Sequence, residues 1–220
     1  MTAKGDFFPR RINDHVPNMQ YAADVRFGGV GTIVIPAPRS AATLVAALSG
    51  SVGVTYVNLE LDGKFGRNVT VTASAATGGA SGVTVRGKDY LGQPMVEFIA
   101  VANADGTTPK AGKKAFKYID SLEVSDATTG ATFAIAEGNV LGLPYKSQKL
   151  ISELVNKEVP ANAGTFVDGI ATGASQSTTS DDPRGTYAPH SSVVPNGSRE
   201  YELTIMHDNT NLHGDAHYFA

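Results

Sequence analysis

The residues best equipped for chemistry lie near the C-terminus: His207-Asp208, His213, Asp215 and His217. Three of the five histidines fall between positions 207 and 217. Imidazole and carboxylate groups suit zinc, nickel and similar ions. The spacing fits no metal motif, and it is not the paired helical histidines of a metalloprotease. The expectation is a polar tail or interface segment, with no metal and no cofactor. Nucleophilic chemistry has little to start from. Cys is absent, and no serine stands in a Gly-x-Ser-x-Gly elbow. Gly173-Ala174-Ser175-Gln176-Ser177 comes nearest, but it lies in a polar stretch without strand–turn–helix context.

Phosphate and calcium sites fare no better. Gly28-Gly29-Val30-Gly31 precedes a strand, whereas a dinucleotide fingerprint follows one and opens a helix. Asp62-Gly63-Lys64-Phe65-Gly66-Arg67-Asn68 starts like a calcium loop, but its carboxylates do not continue at alternate positions. It reads as a turn. Glycoside hydrolysis needs two carboxylates facing across a cleft, and the acidic residues here fall mostly at turns. No catalytic residues are assigned, and the chain is read as a non-enzyme.

The elements that would position such groups are strands. From residue 52 onward the apolar period is two. It marks strands at 52–59, 68–72, 82–86, 95–101, 115–124, 131–136 and 201–206. Gly31-Thr32-Ile33-Val34-Ile35 is another, closed by Pro36 and Pro38. Asp62-Gly63, Gly78-Gly79, Asn103-Ala104-Asp105-Gly106 and the run from Asp126 to Gly130 separate them as turns. Ala41 to Leu48 reads as a short helix capped by Ser40 and ended by Gly50, or as a loop segment packed on a sheet. Residues 148–158 fit a helical stripe or a strand, and their strand-rich neighbourhood favours the strand. Residues 172–186 read as a long polar surface loop. The fold expected is mostly β: an antiparallel sandwich or jelly-roll-like barrel with at most one short helix. Residues 1–30 form an extended N-terminal arm and 31–220 the β-domain. Phe7, Phe8, Tyr21 and Phe27 would be costly to leave in water, so the arm lies on its own domain or on a neighbour.

Composition narrows the partners. Lys and Arg total 18 against 21 Asp and Glu, so 18 − 21 leaves a net charge of −3. That gives no basic excess for phosphates, and no nucleic-acid partner is expected. There is no apolar window long enough to span a membrane and no signal-peptide core after Met1. Charged residues make up only 18% of the chain, which suits a surface that partners cover.

A run of phrases between 67 and 145 carries a resemblance. Asn68-Val69-Thr70-Val71-Thr72 is followed by Val83-Thr84-Val85-Arg86-Gly87-Lys88-Asp89-Tyr90-Leu91-Gly92-Gln93-Pro94. Gly112-Lys113-Lys114-Ala115-Phe116-Lys117 and Gly138-Asn139-Val140-Leu141-Gly142-Leu143-Pro144-Tyr145 complete the run. It resembles virion structural proteins of tailed bacteriophages, most of all capsid decoration (cement) proteins. The resemblance implies a virion location, assembly in the bacterial cytoplasm and the major capsid protein as partner. It also implies a homo-oligomer, with a trimer favoured. Tail, baseplate or head–tail connector proteins are the alternative, and a carbohydrate-binding or hydrolytic β-domain is the second. Asp89 can start a turn and Gly92 can take positive φ, which would put Tyr90 and Leu91 at a loop tip. They join the four arm aromatics as candidate partner-binding residues.

Protein purified without an affinity tag should therefore carry no stoichiometric transition metal by elemental analysis. One equivalent of zinc, lost in His213→Ala, would contradict this.

Overall fold

The computed structural model describes residues 30–36, 38–75, 81–101, 108–125, 131–169 and 178–207. The four arm aromatics, His213, Asp215 and His217 lie outside these residues, so their expected roles rest on the sequence. The described chain is nearly all β, and every strand pair is antiparallel. It forms β1 (Val30–Ile35), β2 (Thr43–Ser49), β3 (Gly53–Glu60), β4 (Arg67–Ala73), β5 (Gly82–Lys88), β6 (Pro94–Ala100) and β7 (Lys110–Ala111). Then come β8 (Tyr118–Ser125), β9 (Thr132–Gly142), β10 (Ser147–Val155), β11 (Thr165–Asp168), β12 (Gly185–Ala188) and β13 (Tyr201–His207). One 3-10 turn, Ser191–Val193, precedes β13.

Three sheets result. One runs β1-β13-β10, a second β3-β8-β5-β6, and the central one β11-β12-β9-β4-β7, with β2 added beside β9. Strand β9 is the spine. Along one edge it pairs with β4, and along the other with β2 and then β12. Its first half places Phe133 and Ile135 in a core shared with Val69 and Val71 of β4, Val83 and Val85 of β5, and Leu122 of β8. Its far end places Leu141 in a second core with Ile33, Ile35, Tyr187, Leu203 and Ile205. Between these two apolar stretches β9 carries Glu137.

That carboxylate and Arg67 are both fully buried. Arg67 Nη1 donates to Glu137 Oε2 at 3.3 Å and to the Arg39 carbonyl at 2.9 Å, and its Nε donates to the Gly138 carbonyl at 2.8 Å. Glu137 Oε1 accepts from Arg39 Nη2 at 2.9 Å and from the Asp62 amide at 2.8 Å. Burial lowers the Arg67 pKa, and the Glu137 charge opposes that shift. The pair thus ties the β1–β2 link and the β3–β4 turn to the middle of β9.

Next to it β9 bulges, so that Arg67 faces Leu141 and Val69 faces Glu137. Asn68 fills the gap, accepting from the Val140 amide at 3.0 Å and donating to the Gly112 carbonyl at 2.8 Å. A Cβ at Gly138 would meet Asn68 Oδ1 at 2.0 Å, so any larger residue there would displace Asn68 from its two hydrogen bonds. The strand read at 131–136 thus continues past the bulge to Gly142.

Two other expectations are corrected. Ala41 to Leu48 is neither helix nor loop; from Thr43 to Ser49 it is β2, paired with β9. Two register shifts in that pairing let Leu44, Val45 and Leu48 all reach the first core, which mimics a helical spacing. The supposed surface loop at 172–186 ends in buried chain, because Asp182, Arg184 and Thr186 are all buried. Asp182 accepts from the Ala115 amide at 3.0 Å, and Arg184 donates to Asp89 at 2.7 Å. The segment 148–158 is a strand through Val155, as favoured.

Removing one partner of a buried ion pair strands the other charge, which costs about 3–5 kcal/mol. Glu137→Ala should lose that much in urea unfolding. Asp120→Ala, which breaks the half-exposed Lys88–Asp120 pair, should lose less than about 1 kcal/mol. Equal losses would show that Glu137 does not hold the fold together.

Candidate functional site

Four turns and links meet at one end of the second core. The β5–β6 turn is the one read from sequence. Asp89 Oδ1 accepts from the amides of Leu91 and Gln93, both at 2.8 Å, and Gly92 takes φ of +81°. The turn divides its two candidate residues. Leu91 is 43% exposed at the tip. Tyr90, expected there too, turns inward instead. Its hydroxyl donates to the Pro144 carbonyl at 2.6 Å, and its ring meets Phe65 edge-on at 5.2 Å. The Arg184 guanidinium lies 5.1 Å from the Tyr90 ring centre. Burial raises the Tyr90 pKa, partly offset by the Arg184 charge, so the hydroxyl stays protonated and able to donate.

These contacts frame a groove of about 330 Å3. Its walls are Thr32, Ile33 and Val34 of β1, Lys64 and Phe65 of the β3–β4 turn, Tyr90, and Pro144-Tyr145 after β9. Val34 is 41% exposed and Tyr145 36% exposed, and Tyr145 leans on His207 at 5.6 Å. Lys64 lies 5.1 Å from the Phe65 ring centre. The groove is mixed: Phe65, Tyr90, Tyr145, Ile33 and Val34 line it together with Thr32, Lys64 and polar atoms. Its aromatic and aliphatic walls offer packing surface, and Thr32 and Lys64 offer polar contacts. Among the described residues, no cluster of His, Asp and Glu could hold a metal ion.

A second pocket, of about 300 Å3, lies between β6 and the β7–β8 link. Glu97 and Ile99 face Gly112, Lys113 and Thr179 there. Both Glu97 oxygens are taken by backbone: Oε1 accepts from the Lys113 amide at 2.5 Å and Oε2 from the Lys114 amide at 3.2 Å. Burial pushes the Glu97 pKa up to about 7, against the pull of those amides and the Lys114 charge, while Asp182 adds to the rise. Burial lowers Lys114, whose Nζ donates to the Val96 carbonyl at 3.1 Å. The carboxyl clamps a loop onto β6.

Sequence reasoning missed Glu97, Arg67 and Glu137, although the pattern contained a signal. Each sits in the apolar phase of its strand: Glu97 with Met95 and Ile99, Arg67 with Val69 and Val71, Glu137 with Phe133 and Ile135. Comparison with family models, with curated proteins and with solved structures finds no match to this chain.

A carboxyl raised when folded keeps a proton that the unfolded chain releases at lower pH. Stability should therefore fall as pH rises from about 4.5 to about 7 and level off above that. Glu97 contributes a slope of up to about 1.4 kcal/mol per pH unit. Denaturation midpoints across that range should show the slope in the natural chain and a flatter profile in Glu97→Gln. Identical slopes would assign it to other groups.

Proposed function

We propose that the chain is a non-catalytic capsid decoration (cement) protein of a tailed bacteriophage, which binds the assembled shell and stabilises it. The observation that carries this reading is the aromatic groove, with Tyr145 and Val34 presented to solvent on a rigid double core. A groove of this kind suits capture of an apolar or aromatic side chain from a shell subunit. The sequence resemblance supports the class of particle, and the groove supports attachment through this face. The segment bearing Phe7, Phe8, Tyr21 and Phe27 joins the described chain at Val30, two residues before the groove wall begins at Thr32. Anchors from that segment and from the groove would act together, since a few aromatic anchors carry most of an interface's energy.

The sugar-binding alternative is less favoured. The Tyr90 hydroxyl is engaged by Pro144, and its ring is in contact with Phe65 and Arg184. A net charge of −3 argues against attachment driven by phosphate charge, so binding should survive moderate salt.

A ligand that binds only the assembled shell stabilises it by mass action. Stripped particles should thus release DNA at a higher temperature when the protein is added back. Tyr145→Ala, still folded by circular dichroism, should bind at least about tenfold more weakly. A chain lacking residues 1–27 should fold and bind poorly. Equal release temperatures with and without protein, or labelling confined to the tail, would favour a tail, baseplate or connector role.

A further inference from the structure

We propose that two copies of this chain join through antiparallel pairing of their β3 strands, closing a two-fold dimer. The inference stands apart from the decoration reading. Strand β3 is the outermost strand of its sheet, and among the described residues it pairs only with β8. Gly53, Val54, Thr55 and Tyr56 are all exposed. Val54 is 47% exposed and Tyr56 84%, and the two-residue period puts these two side chains on one face, with Val52, 72% exposed, just ahead of the strand.

Edge strands are normally guarded by a charge, a proline, a bulge or a cover. Here no charged residue or proline occurs from Ser40 to Leu59. The pairing of β3 with β8 shifts register only beyond Tyr56, which leaves Gly53 to Tyr56 as a regular open stretch.

The second copy is the occupant because this stretch complements itself. An antiparallel register centred on Val54 sets Val54 against Val54 of the other copy. It also brings each Tyr56 to Val52 of the other copy, the residue just before β3. Both outer pairs are then aromatic against β-branched, a stabilising cross-strand combination. No like charges meet. The nearest carboxylate on that side is Glu123, opposite Val54 on β8, and it is held by Arg86 at 3.2 Å. The two Glu123 residues would be three strand spacings apart, about 14 Å. Such pairing joins two four-stranded sheets into one of eight, and its two-fold symmetry closes the assembly at two. That differs from the trimer implied by the resemblance.

The test is sedimentation equilibrium together with single-cysteine crosslinking, which the absence of native cysteine makes clean. The natural chain should sediment at twice its 22.9 kDa. Val54→Lys, a change on an exposed side chain, should be monomeric with an unchanged circular dichroism spectrum. Under oxidation Val54→Cys should crosslink to a covalent dimer, while Val52→Cys should not, because its counterpart is Tyr56. A monomeric or trimeric natural chain, a dimer that persists in Val54→Lys, or equal crosslinking of both cysteine variants would overturn the proposal. Particle binding by a monomeric Val54→Lys would leave the decoration reading intact, so the two can fail separately.

Discussion

The buried pair of Arg67 and Glu137 is the constraint on which the rest of the structure depends. Strand β9 is long enough to serve two apolar cores, and the pair sits at the point where one gives way to the other. Taking both charges out of water is costly, and that cost is offset only because the groups have many partners. Arg67 spends its donors on Glu137 and on the carbonyls of Arg39 and Gly138, while Glu137 also holds Arg39 and the Asp62 amide. The geometry is therefore specific. A slip of β9 by one residue would turn Glu137 away from Arg67 and leave both without compensation. The bulge beside Glu137, filled by Asn68, lets the strand resume its inward phase at Leu141. The β3–β4 turn, whose Phe65 walls the groove, is tethered to the same pair through Asp62.

A second buried pair, Arg184 with Asp89, does for the groove what the first does for the cores. It fixes the β5–β6 turn from behind, with Arg184 against the Tyr90 ring and Asp182 gripping the Ala115 amide. Tyr90 is thereby a positioning residue for the groove, and Val34 and Tyr145 are its exposed apolar and aromatic side chains. The groove wall is assembled from β1, two turns and the link after β9. Each of these is anchored by a buried polar contact or by the second core, so little ordering remains to be done on binding.

The sequence made the strands legible wherever alternation was regular. Val69 and Val71, Val83 and Val85, and Leu203 and Ile205 announce their inward faces directly. It misled where a bulge broke the period: in β2, whose shifts bring Leu44 and Leu48 to one side, and at Gly138 in β9. Short strands such as Lys110–Ala111 and Gly185–Ala188 carry too few residues for any pattern to show. The Asp89 turn was readable because Asx chemistry and a positive-φ glycine are local features. The inward turn of Tyr90 was not, since it depends on Pro144 and Arg184, both far away in the chain. The buried charges were visible as polar residues in an apolar phase, but their partners lie about 70 to 95 positions apart, which pattern alone cannot connect.

In the proposed role, this β-domain presents its aromatic groove to the outside of a phage shell. Electron cryo-microscopy of intact particles, compared with particles lacking this chain, tests it most directly. Density for the domain should decorate the outer shell, with Val34 and Tyr145 facing a capsid subunit. Density confined to the tail, or a shell-bound domain whose groove faces open solvent, would contradict the claim.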